Sequence, residues 1–392
     1  MRQATTSVAA GAIALAVAAG TACAQGGTLE RRIASVPTGL VEFNFASSED
    51  TCGDGLRWMR TSDDSWYGSS INTSDPAMRS QCARGPLRVL VTTEDREIVR
   101  LESFVGPLQH ADGATNLGAV PAREASAWLL GVAARADGRP ARDALMPAVL
   151  ADSSRPSAAL LALARDIDRS RETRRSAIRW LARAPDDGVA PLTQLAGDRD
   201  DTWLGREATR VLARSGDPRA RAFLRSAVND KQLPEELRAA AIAGLGGDMA
   251  TGADAKLLRD SYRTLTGQKS KDAALAAVSA VGGSVNAQWL MAVARERDEP
   301  PALRRRAITL AERAGATGSQ LAALYDAVDD TDARGAVITA LGQEGSRPAR
   351  DKLIAIAQST ELAPLRRRAI TALDRFDGVE VREALSGVAA RP

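Results

Sequence analysis

Leu303-Arg304-Arg305-Arg306-Ala307-Ile308-Thr309 and Leu365-Arg366-Arg367-Arg368-Ala369-Ile370-Thr371 are identical in sequence and stand 62 residues apart. Outward from this pair, a reduced form recurs: two small or apolar residues, then another at the fifth position. It reads Ala177-Ile178 with Leu181, Ala208-Thr209 with Leu212, Ala241-Ile242 with Leu245, and Ala277-Val278 with Val281. It continues as Ala307-Ile308 with Ala311, Val337-Ile338 with Leu341, and Ala369-Ile370 with Leu373. Successive first positions are 31, 33, 36, 30, 30 and 32 residues apart, so the two identical heptads lie two periods apart.

Residues at i, i+1 and i+4 share one face of a helix, so each motif supplies a short apolar stripe whose small members let neighbouring helices approach closely. A turn and a second amphipathic stretch follow each motif. Gly216-Asp217-Pro218 precedes Ala222-Phe223-Leu224, and Gly345-Ser346-Arg347-Pro348 precedes Leu353-Ile354-Ala355-Ile356. Asp217 suits an N-cap, and Pro218 the first helical turn, where its missing donor costs nothing. One such pair cannot bury its own stripe, whereas stacked pairs bury a continuous one. The expected fold is therefore a mostly α chain, an α-helical solenoid of αα repeats over 169–392 in about seven copies. Weaker helices at 116–168 lead into it.

Residues 25–115 read differently. Val41, Phe43 and Phe45 alternate with polar residues as a half-buried strand requires. Leu87–Val91 and Ile98–Leu101 repeat the signal on either side of a turn at 92–96. Residues 46–83 are rich in Ser, Asp, Gly and Thr. A small β module of three to five strands with one long loop is expected, and a loop of that length needs a constraint.

Composition bounds the rest. The 392 residues carry 52 basic and 49 acidic side chains for a net charge of +3, and aromatics make up 4%. Few aromatics beside abundant Ala, Leu and Arg suit packed helices. So even a balance argues against a nucleic-acid binder, which normally shows a net basic face. The first 24 residues have the order of a signal peptide: Arg2, a small and apolar run from Val8 to Ala19, and Ala22-Cys23-Ala24 before Gln25. The run is too short for a transmembrane span, and no later segment approaches the required length. Export to the periplasm or outside the cell follows as the expectation. Gly20-Thr21-Ala22 lacks the large apolar residue that usually stands three positions before an acylated cysteine, so release at Gln25 is favoured over a lipid anchor on Cys23. Cleavage leaves Cys52 and Cys82, which in an exported chain read as a disulfide. With His110 the single histidine, zinc is a poor rival. The bridge closes a loop of about 31 residues, worth about 3.7 kcal/mol in the chain-entropy model.

The motif and its period resemble the HEAT-repeat family, in the short bacterial form related to phycobilisome-lyase repeats. The resemblance covers about 170–390. The whole layout is similar to exported bacterial proteins that join a small β module to a HEAT array. It implies a surface for holding another protein and brings no assigned biochemical role.

Chemistry is sparse. His110 lies in a polar linker without a nucleophile elbow. Gly244-Leu245-Gly246-Gly247 follows a helix and reads as a C-cap rather than a phosphate loop. The run Asp50–Gly55 misses the alternating carboxylates of a calcium loop, and 198–201 reads as a solvated turn. No catalytic, cofactor or metal site is expected. The basic triplets Arg304, Arg305, Arg306 and Arg366, Arg367, Arg368 offer a ridge for an acidic partner, against the alternative of solvated faces balanced by nearby acids such as Glu299 and Glu361. Trp58 and Trp66, in the long loop, are candidate anchors for a partner; Trp128, Trp180, Trp203 and Trp289 fit core positions. The reading is a non-enzymatic exported scaffold for a protein partner. A chaperone-like lyase acting on a chromophore-bearing protein and a cell-envelope anchoring protein are the alternatives.

Overall fold

The computed structural model describes residues 28–61, 65–68, 71, 76–376 and 381. The signal region, with Cys23 and the Gln25 cleavage point, lies outside them, as does most of the chain after 376. Along the chain come α1 (Leu29–Ala34), β1 (Gly39–Phe45), β2 (Cys52–Gly53), β3 (Trp58–Arg60), β4 (Trp66–Gly68), α2 (Pro76–Ser80), β5 (Leu87–Glu94), β6 (Glu97–Val105) and β7 (Thr115–Ala119). The helices α3 (Ala122–Arg135), α4 (Gly138–Asp143), α5 (Leu145–Leu150), α6 (Ser157–Arg165), α7 (Arg171–Leu181), α8 (Val189–Ala196), α9 (Thr202–Arg214) and α10 (Pro218–Asn229) follow. The array continues as α11 (Glu235–Leu245), α12 (Gly252–Ser261), α13 (Gln268–Val281), α14 (Ser284–Arg295), α15 (Pro301–Arg313), α16 (Gly318–Ala327), α17 (Thr331–Glu344), α18 (Arg347–Gln358) and α19 (Ala363–Leu373).

Among the described residues the β module holds two sheets and seven strands, where three to five strands were expected. The larger has the order β6-β5-β1-β7, with β1 antiparallel to β5 and parallel to β7. Val41, Phe43 and Phe45 pair across from Val91, Val89 and Leu87, and all six are fully buried, so the alternation is one inward face. The hairpin turn is tighter than 92–96: only Asp95 and Arg96 lie outside the strands, both at positive φ (49° and 71°). Paired left-handed residues match the twist of a two-residue hairpin. The smaller sheet, β2-β3-β4, is built inside the polar loop. Gly53 is fixed by close approach, since a Cβ there would fall 2.3 Å from the Val105 carbonyl oxygen.

Every motif falls on an odd-numbered helix from α7 to α19. Of the motif positions, only Val281 and Ile370 are half-buried; all others are buried. Each motif helix packs on the motif helices before and after it, and α6, α8, α10 and α12 follow one another in a second layer, as do α14, α16 and α18. The 36-residue interval has a visible cause, a 3-10 turn at Tyr262–Thr264 that extends α12. The caps behave as the residues dictate. Asp217 accepts the Arg219 N–H at 2.7 Å with Pro218 in the first turn of α10. Gly345, at φ 77°, ends α17 in the left-handed conformation that glycine tolerates without a Cβ clash.

The β module does not stand apart from the helices. Phe43 packs edge-on against Trp128 of α3 with ring centres 5.6 Å apart, and one continuous core runs from Leu29 through the inner sheet face and the first repeats to Ala220.

Candidate interaction surface

Stacking repeats brings charged residues together at a spacing of nearly one period. Arg174 donates to Asp201 at 2.6 Å, Lys271 to Glu299 at 2.6 Å, Arg304 to Asp330 at 3.2 Å and Arg334 to Glu361 at 3.0 Å. Each ties a motif helix to the residues that open the next motif helix. In the second layer Asp254, fully buried, caps α12 and receives Arg221 and Arg225, with Arg225 Nε at 2.7 Å. Burial alone would raise the Asp254 carboxyl; hydrogen bonds from Arg221, Thr251 and Arg225 outweigh it and bring the carboxyl down to about 2.

The two arginine triplets fare differently although their sequences match. Arg304 is buried against Asp330, Arg305 reaches Asp332 at 3.3 Å and Arg306 reaches Asp272 at 3.2 Å, so that triplet is charge-neutralised by the repeats on either side. Arg366, Arg367 and Arg368 have no ion pair among the described residues. Arg367 and Arg368 are exposed.

Around the β module, Cys52 and Cys82 are bridged, with Cα atoms 5.1 Å apart. Trp58 is buried, its ring tilted 47° to that of half-buried Trp66 with centres 5.2 Å apart, so of the two candidate anchors only Trp66 keeps an open face. Tyr67 packs on Trp180 of α7 at 5.7 Å, and Arg183 donates to Ser65 at 3.0 Å, which seats the small sheet on the first repeat. Trp128 and Trp180 are core residues; Trp203 and Trp289 are half-buried at its edge. Asp54 is a turn residue: its carboxylate accepts the backbone N–H groups of Leu56, Arg57 and Trp58 at 3.0, 2.7 and 3.1 Å. Among the described residues no cluster of metal-ligating side chains occurs. His110 is not a free linker residue, because its Nδ1 lies 2.5 Å from Oε1 of buried Glu42. Burial pushes Glu42 up, and the Ala111 N–H, His110 and Arg88 more than offset it.

A further group of arginines lies on the motif-helix layer. In α7 with the turn after it, and in α9, the positions two before, two after and six after the motif's first residue read Arg175, Arg179, Arg183 and Arg206, Arg210, Arg214. Residues four apart share a helix face, so each helix presents a row. Glu207 joins the two rows, accepting from Arg175 at 3.4 Å and Arg210 at 2.5 Å. Arg206 and Arg214 are exposed and have no ion pair among the described residues. The signal for this group was the motif register itself, read at positions outside the stripe.

The family model for HEAT repeats matches residues 157–246, from the start of α6 to the end of α11. No curated protein matches the chain. Among solved structures, human deoxyhypusine hydroxylase in complex with glycerol is similar at 20% identity and a TM-score of 0.27, over 60% of this chain and 90% of that one. The complex of CpcE and CpcF of phycocyanin lyase from Nostoc sp. PCC7120 is similar at 16% identity and a TM-score of 0.31, over 60% and 94%. At such values neither likeness bears on activity. The HEAT repeats matched at 157–246, continued by the same two-layer stacking of α12 to α19, form a helical repeat solenoid preceded by a small, disulfide-bonded β module.

Proposed function

We propose that this protein is an exported, non-enzymatic scaffold that holds a protein partner on its motif-helix layer. The observation that carries the reading is the continuity of that layer. From α7 to α19 the inward residues are consumed by stacking, and the outward positions form one extended surface built from seven helices. HEAT repeats suggest protein interaction, since such arrays present long surfaces without enclosing a pocket. The order of residues 1–24 and the Cys52–Cys82 bridge support export, because disulfides persist in oxidising compartments.

The test is expression of the tagged full chain, N-terminal sequencing of the mature form, and affinity purification from an envelope fraction. A start at Gln25 and co-purification of a defined protein are expected. Retention of the leader, or acylation at Cys23, overturns soluble export. A bound pigment or bound polysaccharide in place of a protein overturns the scaffold reading.

A further inference from the structure

From the arginine rows on α7 and α9 we infer that the first two repeats form a docking site for an acidic polypeptide segment; this rests on the protein-binding reading above. Arg175 is half-buried and Arg179, Arg206, Arg210 and Arg214 are exposed on these helices, and Glu207 pairs with Arg175 and Arg210. The helix dipole accounts for cations in the last turns, where Arg179 and Arg214 lie. It does not account for Arg175, Arg206 and Arg210, which sit earlier in their helices. Elsewhere along the layer some outward arginines are paired with acids of adjoining repeats, as Arg305 is with Asp332 of the next and Arg306 with Asp272 of the one before. The next motif helix, α11, and the turn after it carry Ala239, Ala243 and Gly247 in the register of the arginines, and Glu236 in the register of Asp332 and Asp272. Glu236 is held by Lys269 at 2.8 Å, and Glu235 accepts the backbone N–H groups of Lys269 and Ser270. Arg206 and Arg214 are left exposed and without an ion pair among the described residues.

Spacing and extent select the partner. Along each row the arginines are about 6 Å apart, close to the roughly 6.8 Å between alternate side chains of an extended peptide. Arginine receives carboxylates in two-point fashion. Beyond these two helices the layer carries the small residues Ala239, Ala240, Ala243 and Ala280, half-buried or exposed. A nucleic acid or polysaccharide tracks a longer basic stripe. A short acidic run followed by small or apolar residues fits what is there.

Fluorescence anisotropy with a fluorescein-labelled octaglutamate peptide and the full chain at low ionic strength tests this. Arg206→Glu with Arg214→Glu breaks no ion pair and is expected to weaken binding about tenfold or more. Arg313→Glu with Arg367→Glu makes the same net-charge change at exposed positions of the same layer, far from the site. That pair is expected to stay within about threefold of the wild type, because screening ends such influence beyond about 10 Å. Glu207→Gln removes the resident carboxylate and should tighten binding, whereas a purely structural role would make it neutral or harmful. Equal weakening by both double variants overturns the inference, as does tighter binding of an equally charged heparin fragment or oligonucleotide. The two readings fail separately. If the wild type and Arg206→Glu/Arg214→Glu capture the same partner equally well, the scaffold stands and this site falls. If the wild type captures no protein while the peptide follows the expected order, the scaffold falls and this site stands.

Discussion

Leu341→Ala tests the solenoid where its logic is most exposed. Leu341 is the fifth position of its motif, fully buried in α17, a helix packed between α15 and α19 and against α16 and α18. The substitution deletes three carbons, which at about 0.8 kcal/mol each amounts to about 2.4 kcal/mol of lost transfer energy. The flanking helices are held by their own motifs and cannot collapse fully into the space, so the cavity raises the cost to about 3–4 kcal/mol. Thr339, exposed on the same helix and bonded only to the Gly335 carbonyl, serves as the comparison; Thr339→Ala should change stability by less than about 0.5 kcal/mol. Each repeat touches mainly its neighbours, so the damage should be local. Hydrogen exchange followed by mass spectrometry should show lost protection across roughly 301–373 and unchanged protection in the strands from Gly39 to Val105. Uniform loss along the chain would refute the quasi-one-dimensional account. No loss at all would mean that the motif register is misplaced.

Two further outcomes follow from the bridge and from Asp254. Without reductant, neither Cys52 nor Cys82 should react with an alkylating agent in the folded protein, and labelling of both would sink the disulfide. Reduction should lower the stability of the β module by up to about 3.7 kcal/mol. Because that module shares its core with the first repeats, protection in α3 should fall with it while α15 to α19 keep theirs. Asp254 titrates at about 2 in the folded chain against an ordinary 3.8, so its contribution is present above about pH 4 and is lost as pH falls towards 2. The shift corresponds to about 2 kcal/mol. The stability gap between wild type and Asp254→Asn, taken from urea midpoints, should shrink over that range; a gap independent of pH would show that the Arg221 and Arg225 contacts do not depend on the charge.

Sequence alone was enough for the repeat, because helix periodicity is a local property. Which residues share a face with Ala307 is decided within five positions, and the period of the motif then forces stacking. The strand of Val41, Phe43 and Phe45 and the pairing of Cys52 with Cys82 were legible for similar reasons, one from alternation and one from arithmetic on two cysteines. Tertiary structure alone decided which charges are spent. Leu303–Thr309 and Leu365–Thr371 are the same seven residues, yet Arg304 to Arg306 are paired, whereas among the described residues Arg366 to Arg368 have no ion pair. The acids that discharge the first set stand 26 to 34 residues away and arrive by the stacking of adjacent repeats. The polar loop hid β2, β3 and β4 in the same way, since Trp58 and Met59 become core only when the small sheet is laid against β6 and the first repeat. The rows on α7 and α9 stand out only once the repeats are stacked, because Glu236, the acid that α11 carries in the register of Asp332 and Asp272, is held by Lys269 of the repeat beyond.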